Sequence, residues 1–253
     1  MGNPKSTSRD MRLHDSSRYR VAILCGGRGS RLGPLTERVP KALAMLDGRP
    51  ILDHILDFYR KKGISAATLC VGYKAEEIRR HFAAKTPGME LTYSDAGLQA
   101  SILQRVTRLL EFAEDRFLVS YCDTFIDLDM EGLLESHIGS GAQVTIVTAK
   151  IRNPFGVVSV DNSGWVGSFV EKPIFNYYIG CFVMERSALD FATPEMVDSE
   201  DGSGLVAFFN KLGEKRMLAA FDHTGLQITF NTEPERQAAE SHLVKYYTFS
   251  EEK

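Results

Sequence analysis

Residues Val21–Lys41 read VAILCGGRGSRLGPLTERVPK, a short apolar run that passes directly into a loop rich in glycine and arginine. The apolar run predicts a buried β-strand, and Gly26, Gly27 and Gly29 predict a turn at its end. Glycine allows a positive φ and lets backbone N–H groups approach an anion. Four basic residues accompany the loop and only Glu37 opposes them: Arg28, Arg31, Arg38 and Lys41. The stretch predicts a polyphosphate site, although a glycine-rich turn with solvated arginines would have the same composition.

Two common phosphate-binding loops are excluded by spacing. A Walker loop closes on Gly-Lys-Ser/Thr, whereas Lys41 follows Pro40 in this chain. The dinucleotide fingerprint requires a third small residue where this chain has Leu32, and a carboxylate at the end of the second strand. The second apolar run, Ala67–Gly72, is followed by tyrosine and lysine instead. A dinucleotide-dependent oxidoreductase is therefore disfavoured.

The glycine loop resembles the signature of the sugar-1-phosphate nucleotidyltransferases, G-G-x-G-[ST]-R-L followed by P-K. The matching positions stand in register: Gly26, Gly27, Gly29, Ser30, Arg31, Leu32, Pro40 and Lys41. The segment DGRPIL at 47–52 is similar to the motif that follows in that family. Several fixed positions within about thirty residues are far more specific than one glycine triplet.

The resemblance extends from about Tyr19 to Leu243 and fits the glucose-1-phosphate cytidylyltransferase branch. The similar segments are 94–98, Arg105, 121–123, 155–156, 167–173, 180–183 and 223–232. This resemblance implies a Rossmann-like (GT-A-like) α/β fold, with a mixed, mainly parallel sheet flanked by helices and a β-rich sugar-binding lobe. It implies an enzyme that transfers CMP from CTP to a sugar 1-phosphate and releases pyrophosphate.

Hydrophobic patterning agrees with an α/β chain. Short apolar runs at 21–24, 67–72, 91–93 and 117–121 alternate with helical patterns, which predicts a parallel sheet, and shorter β-rich segments follow from about 143. We expect a polar tail at 1–18, one nucleotidyltransferase domain at 19–243 and a second tail at 244–253. Within the domain we expect a nucleotide lobe at about 19–142 and a sugar-binding lobe at about 143–243, sharing one sheet.

The resemblance assigns the nucleotide site. Its predicted contacts are Leu24, Cys25, Gly26, Gly27, Gly29, Ser30, Arg31, Asp95, Gly97, Arg105 and Asp123. Arg31 is expected to hold the β- and γ-phosphates because its planar fork binds two oxygens. Lys41 is expected near the α-phosphate, and Asp123 is expected to bind Mg²⁺ because a hard carboxylate oxygen suits that ion. Arg31, Lys41, Asp123 and Lys172 form the predicted catalytic set.

The predicted acceptor site departs from the family pattern. Glu171, Lys172 and Gly180 match it, but Tyr178 stands where relatives have a sugar-binding asparagine. Asn231, the second predicted metal ligand, stands where relatives have aspartate, and residues 101–104 replace a small Thr-Gly-Gly. These changes leave open another nucleoside triphosphate (GTP, UTP or dTTP), a phosphorylated or phosphonylated acceptor other than glucose 1-phosphate, or a nucleotide-binding regulatory homologue without turnover.

Composition indicates an ordinary globular enzyme. Of 253 residues, 43% are hydrophobic and 25% charged, and the formal net charge of -3 gives no reason to expect a nucleic acid or an anionic membrane as partner. Cys25, Cys70, Cys122 and Cys181 are widely spaced in or beside apolar runs, which predicts reduced core thiols and a cytoplasmic location. Met1 and Gly2 fit a permissive myristoylation pattern with no second anchoring signal. Because relatives commonly self-associate, a homo-oligomer is a further expectation.

Overall fold

The computed structural model describes residues 19–83, 85, 88–200, 202–230 and 232–240, excluding the side chains of Arg31 and Pro34. Within these residues the strands are β1 Arg20–Leu24, β2 Met45–Leu46, β3 Arg49–Pro50, β4 Ala66–Val71, β5 Glu90–Asp95, β6 Arg116–Tyr121, β7 Thr124–Ile126, β8 Val144–Arg152, β9 Val157–Val160, β10 Val166–Val170, β11 Ile174–Glu185, β12 Leu218–Asp222 and β13 Gln227–Thr229.

The helices of the same residues alternate with the strands in the first half of the chain. They are α1 Pro34–Arg38, α2 Ile51–Lys61, α3 Ala75–Ala83, α4 Ile102–Thr107, α5 Met130–Ser140, α6 Pro194–Val197 and α7 Ser203–Glu214. Residues 233–240 are also helical. Short 3₁₀ turns lie at Ser30–Leu32, Lys41–Leu43, Arg108–Glu111 and Arg186–Phe191.

A seven-stranded sheet in the order β12-β8-β11-β6-β1-β4-β5 organises the described residues. Strand β1 pairs in parallel with β4 and β6, and β4 pairs in parallel with β5. The carboxyl ends of these four strands therefore lie at one edge, where ligands of open α/β sheets collect. Strand β11 is antiparallel to both β6 and β8, so both predicted lobes contribute to this sheet, as the sequence indicates.

Alternation along the strands fills a hydrophobic core on both faces of the sheet. Val21 and Ile23 of β1 belong to the core that includes α2, whereas Ala22 belongs to the core that includes α4 and α7. This follows from the two-residue period of a strand. The apolar face predicted for α2 is confirmed, since Leu52, Ile55, Leu56 and Tyr59 are all buried.

The fold class predicted from the sequence is confirmed: the sheet is mixed, mainly parallel and flanked by helices. The predicted strands and helices occur with small shifts of their ends. The sequence analysis did not predict strands β2, β3, β7, β12 and β13 or helices α1, α6 and α7; of these, β7 and β13 pair in a separate two-stranded sheet. The domain boundaries stay a prediction, and residues 1–18 and 241–253 lie outside the described part of the chain.

The middle of the chain extends away from the core. We call residues 150–177 the arm: it contains the ends of β8 and β11 and the hairpin of β9 and β10, a two-stranded sheet of its own. Every residue from 154 to 172 is exposed. The side chain of Asp161 accepts hydrogen bonds from the N–H groups of Ser163 (2.8 Å) and Trp165 (3.0 Å) and so fixes the turn of the hairpin.

Candidate active site

The glycine loop leaves the carboxyl end of β1 and is held to the end of β4. The Cys25 N–H donates to the Cys70 carbonyl (3.1 Å), and the Tyr73 N–H donates to the Gly26 carbonyl (2.9 Å). Of the three loop glycines, only Gly29 has a positive φ, 64°. The expectation that all three glycines have a positive φ is therefore wrong. Position 26 requires glycine because another side chain approaches it closely, not because of its dihedral angle.

Gly29 lies directly over Lys41. A Cβ atom at Gly29 would be 2.9 Å from the Lys41 Cβ, closer than real Cβ atoms come. The Thr36 hydroxyl donates to the Gly29 carbonyl (3.2 Å) and helps to hold this turn. A glycine here lets the loop cross the lysine side chain, so the loop and Lys41 form one unit.

Arg105 supports the loop from beneath. Its buried guanidinium donates to the carbonyls of Val71 (2.6 Å), Gly97 (3.1 Å) and Ala100 (3.1 Å), and burial lowers its pKa. A Cβ atom at Gly26 would be 2.2 Å from Arg105 Nη1. Arg105 thus joins the turns that follow β4 and β5. The direct nucleotide contact predicted for it stays a prediction, whereas its contact with the backbone is the observed role.

Replacing Gly26 by alanine should destabilise the fold by roughly 1–3 kcal/mol, because the new methyl group would displace the buried Arg105 guanidinium. The matched control is Gly27→Ala, where a Cβ would find nothing within 4 Å. That variant should stay within about 0.5 kcal/mol of the parent. Urea unfolding measures the free energy of unfolding of both variants, and unchanged m-values verify that the comparison is valid. Equal stability of the two variants would contradict this packing.

Lys41 and Asp123 form the centre of the site. The Lys41 Nζ lies 2.7 Å from the Asp123 Oδ2, and the two side chains are only 10% and 19% exposed. Lys41 also donates to the Phe230 carbonyl (3.3 Å). Asp123 lies two residues after the end of β6, and Lys41 follows the glycine loop, so the parallel pairing of β1 and β6 accounts for their meeting. The predicted phosphate ligand and the predicted metal ligand are ion-paired in this structure.

The residues around Asp123 offer a partial fit for Mg²⁺. The Asp123 Oδ1 accepts only a long hydrogen bond, from the Thr124 hydroxyl (3.3 Å). Among the residues that the structure describes, no group of three or more His, Cys, Asp or Glu side chains could hold a metal. Mg²⁺ is often bound by one or two carboxylates plus substrate phosphates, so Asp123 is compatible with it. Asn231, the second predicted ligand, lies outside the described residues.

Asp95 lies at the carboxyl end of β5, on the same edge as Asp123. Its Oδ1 accepts from the Gly97 N–H (2.9 Å), and its Oδ2 lies 3.8 Å from an Arg79 nitrogen. Gly97 has φ 87°, which the turn requires. Asp95 therefore shapes the turn whose carbonyl Arg105 binds, and its nucleotide contact stays a prediction, as do those of Leu24, Cys25 and Ser30.

A cavity of about 890 Å³ opens beside Asp123, between the two predicted lobes. Its lining includes Tyr121, Asp123, Lys150, Tyr178, Gly180 and His223. The predicted acceptor residues Tyr178 and Gly180 thus share one cavity with the predicted metal ligand. The Tyr178 ring packs edge-on against Tyr121, with centroids 6.0 Å apart. At Gly180, φ is 79° and a Cβ would be 3.2 Å from the Tyr121 ring. This part of the cavity wall is therefore aromatic.

The same cavity is also lined by residues that the sequence analysis did not assign. Lys150 and Asp222 form an ion pair, and His223 is buried, with its ring donating to the Leu226 carbonyl (3.2 Å). Strand β12 brings them together by pairing in parallel with β8. The similarity of 223–232 to the cytidylyltransferase pattern was the available signal for His223. Lys150 and Asp222 are 72 residues apart, and no signal in the sequence pointed to their pairing.

Glu171 and Lys172 lie on the arm and do not line this cavity. They form an ion pair of 3.5 Å, with side chains 62% and 56% exposed. Lys172 has φ 45°, an uncommon value for a residue other than glycine. The predicted contact of Glu171 and Lys172 with the acceptor stays a prediction.

All four cysteines are buried and free, in agreement with the expectation of core thiols. Burial raises the pKa of the Cys70, Cys122 and Cys181 thiols to about 12, so none is a ready nucleophile. A search of the described residues finds no helix with the length and apolar character needed to cross a membrane.

A mainly parallel sheet with a glycine loop at its carboxyl edge is typical of α/β proteins that bind nucleotides, and Lys41 and Asp123 meet at that edge. The nucleotidyl transferase family profile matches residues 20–226. Because this match spans most of the chain, the protein belongs to the nucleotidyl transferase family and is an enzyme of that type.

Relatives and solved structures agree with this assignment. The chain is 27% identical over 240 residues to a probable glucose-1-phosphate cytidylyltransferase of Bacillus subtilis (strain 168), covering 84% of this chain and 91% of that one. It is 31% identical over 219 residues to the mannose-1-phosphate guanylyltransferase catalytic subunit beta of Drosophila melanogaster, covering 81% of this chain but only 58% of that protein. Its fold is similar to that of HddC from Yersinia pseudotuberculosis complexed with GMP-PN, with a TM-score of 0.67, 19% identity, and coverage of 89% and 99%.

Proposed function

We propose that this enzyme transfers a nucleotidyl group, CMP from CTP, to a sugar 1-phosphate and releases pyrophosphate. The observation that carries the proposal is the ion pair between Lys41 and Asp123 beneath the glycine loop. A cation for phosphate and a carboxylate for a metal stand side by side at the edge where a nucleotide would bind. The large cavity next to Asp123 supplies room for the second substrate.

The proposed reaction is an in-line attack of a sugar-phosphate oxygen on the α-phosphorus of the triphosphate. The bond from that phosphorus to the bridging oxygen breaks, and pyrophosphate leaves with its electron pair. Both substrates are anions, so catalysis requires alignment and neutralisation of charge rather than a covalent enzyme intermediate. When bound, Mg²⁺ would supply further positive charge at the phosphates, held on the protein side by Asp123.

The residues divide this work among them. Arg31 would bind the β- and γ-phosphates, and Lys41 would bind the α-phosphate. In the substrate-free enzyme Asp123 compensates the Lys41 charge, so neither charge is left without a partner in its mostly buried position. Arrival of the triphosphate and its metal would give each member of the pair a partner of opposite charge.

The acceptor would occupy the cavity lined by Tyr178, Gly180 and Lys150. A sugar 1-phosphate brings a phosphate and a ring of hydroxyl groups, and aromatic walls commonly pack on such rings through their apolar faces. Because Tyr178 replaces an amide that could both donate and accept hydrogen bonds, we infer fewer directed contacts to the sugar hydroxyls. Glucose 1-phosphate remains the acceptor to test first, with other phosphorylated acceptors beside it.

GTP is a second candidate for the nucleotide. The cytidylyltransferase of Bacillus subtilis is similar over nearly its whole length, but the guanylyltransferase of Drosophila melanogaster has the higher identity. CTP is preferred here because the segments 94–98 and 121–123, which resemble the cytidylyltransferase pattern, span the carboxyl ends of β5 and β6 at the edge of the site.

With glucose 1-phosphate as acceptor and Mg²⁺ present, kcat/KM for CTP should exceed that for GTP, UTP and dTTP by roughly tenfold or more, a difference of about 1.4 kcal/mol. Pyrophosphate release measures each rate, and chromatography identifies the nucleotide sugar. Mannose 1-phosphate is tested in parallel. A preference for GTP would replace CTP in the proposal, and nucleotide binding without pyrophosphate release with any acceptor would overturn the proposed activity.

A further inference from the structure

Lys150 and Asp222 are the charged residues of the cavity to which the proposed reaction gives no defined role. Of the cavity-lining residues that the structure describes, the charged side chains are Asp123, Lys150 and Asp222, with His223 beside them. Asp123 has Lys41 as its partner, and the His223 ring donates to a backbone carbonyl. Lys150 and Asp222 pair with each other, yet their side chains are 57% and 41% exposed.

Strand pairing places this ion pair on the same face of the sheet as Tyr178. Thr148 of β8 is in register with Tyr178 of β11 on one side and with Asp222 of β12 on the other. Residues in register on neighbouring strands project from the same face, and so does Lys150, two positions beyond Thr148. Neighbouring strands are roughly 4.8 Å apart, so the backbones at Tyr178 and Asp222 stand about 10 Å apart. One sugar ring with its hydroxyl groups can bridge that distance.

The backbone around the pair is fixed, whereas its two charged ends can exchange partners. The His223 N–H donates to the Thr148 carbonyl (2.7 Å), which holds the end of β12 against β8. On the other side of β8, Lys150 is in register with Asn176 of β11. An ion pair as exposed as this one contributes little to stability, because water screens it. Replacing one partner by a ligand group therefore costs little.

The neighbouring aromatic side chains offer few hydrogen bonds to a sugar. The Tyr178 hydroxyl oxygen is buried in the protein, so this side chain presents mainly ring carbon atoms to the cavity. The Tyr177 hydroxyl, at the same cavity, donates to the Gln227 side chain (2.8 Å). Directed hydrogen bonds to sugar hydroxyls therefore have to come from other residues, and Lys150 and Asp222 lie within reach.

We propose that Lys150 and Asp222 bind the acceptor's hydroxyl groups remote from its phosphate and thereby select the sugar. This assignment rests on the proposed function, in which the phosphate of the acceptor meets the triphosphate beside Asp123. In a six-membered sugar ring C4 lies across from C1, so the C3 and C4 hydroxyls would reach the pair. A hydroxyl both donates and accepts hydrogen bonds, whereas an ammonium group only donates and a carboxylate only accepts. The pair thus offers complementary partners to two neighbouring hydroxyls.

Glucose 1-phosphate and galactose 1-phosphate, which differ only at C4, test this role. With Mg²⁺ and the preferred nucleoside triphosphate, the parent should discriminate between them in kcat/KM by roughly tenfold or more. Lys150→Met and Asp222→Ala should each reduce this ratio to within about threefold and raise KM for the preferred acceptor, with KM for the triphosphate unchanged. The ratio between glucose and mannose 1-phosphates, which differ at C2, should stay at the parental value. Lys150→Arg keeps hydrogen-bond donors and should retain much of the C4 discrimination.

Lys85→Met is the matched control. Lys85 is ion-paired with Asp53 (2.6 Å) and its side chain is 48% exposed, but it does not line this cavity. This variant should keep the parental C4 discrimination. Urea unfolding is measured alongside, because a role confined to joining β8 and β12 would lower stability and leave the C4 ratio unchanged.

The possible outcomes separate this assignment from the proposed reaction. An active parent that treats the C4 epimers alike would overturn the assignment and leave the reaction standing. So would Lys150 and Asp222 variants that discriminate as the parent does. A parent that releases no pyrophosphate with any sugar phosphate would overturn both.

Discussion

Arg31→Ala should lower kcat by roughly 10²–10³-fold, the effect of removing one preorganised charge donor from a phosphoryl-transfer site. Arg31 lies on the 3₁₀ turn Ser30–Leu32, directly after Gly29, so its backbone position is fixed by the turn that crosses Lys41. A guanidinium binds two phosphate oxygens at once and follows negative charge onto the leaving pyrophosphate. Its loss should therefore affect the transition state more than the ground state, and KM for the triphosphate should change less than kcat.

Arg28→Ala is the matched control for Arg31→Ala. Arg28 belongs to the same loop and carries the same charge, but it is exposed and its guanidinium lies 5.5 Å from the centre of the Tyr73 ring. Removing it should leave kcat within about threefold of the parent, the scale of a surface charge. Steady-state rates of pyrophosphate release provide the comparison. If both variants lost activity equally, the loss would come from the total positive charge of the loop, and Arg31 would have no individual role.

The mainly parallel sheet and the position of the site at its edge were predictable from the sequence because they depend on local signals. The apolar run at 21–24, the glycines after it and the alternation with helical patterns define a parallel sheet with its site at the carboxyl edge. Asp123 could be placed at that edge from its position after β6. The sequence indicates that Asp123 and Lys41 lie in the same region, but it does not predict that they touch. Their contact at 2.7 Å joins residues 82 positions apart and depends on tertiary packing.

The role of Arg105 shows why the rest was not predictable. The resemblance predicts a nucleotide contact for Arg105, which stays a prediction, but it gave no indication that the guanidinium donates to backbone carbonyls beneath Gly26. The Arg105 guanidinium occupies the space that a Cβ atom at Gly26 would fill, and no periodic pattern in the sequence indicates such a contact between two elements. The arm is a similar case: its β-rich composition predicts the strands β9 and β10 correctly, but buried strands and exposed strands share that composition.

Asp123→Asn should reduce kcat by roughly 10²-fold or more and shift the Mg²⁺ concentration needed for half-maximal rate upward. The amide keeps the shape of the side chain and can still accept from Lys41 Nζ, which lies 2.7 Å from the carboxylate in the parent. What it loses is negative charge, on which the binding of a hard cation depends. It also leaves the Lys41 charge uncompensated in a mostly buried position, so some loss of stability should accompany the loss of rate.

The control for Asp123→Asn is Asp129→Asn, at the start of α5. Asp129 accepts a hydrogen bond from the Gly132 N–H (3.0 Å) as an N-cap, and asparagine caps helices about as well as aspartate does. Both variants therefore remove one carboxylate within a short stretch of chain, but only one removes it beside Lys41. Pyrophosphate release over a MgCl₂ titration distinguishes them, with unfolding curves to separate stability from activity. A parental Mg²⁺ dependence in Asp123→Asn would place the metal elsewhere and leave Asp123 as the counterion of Lys41 alone.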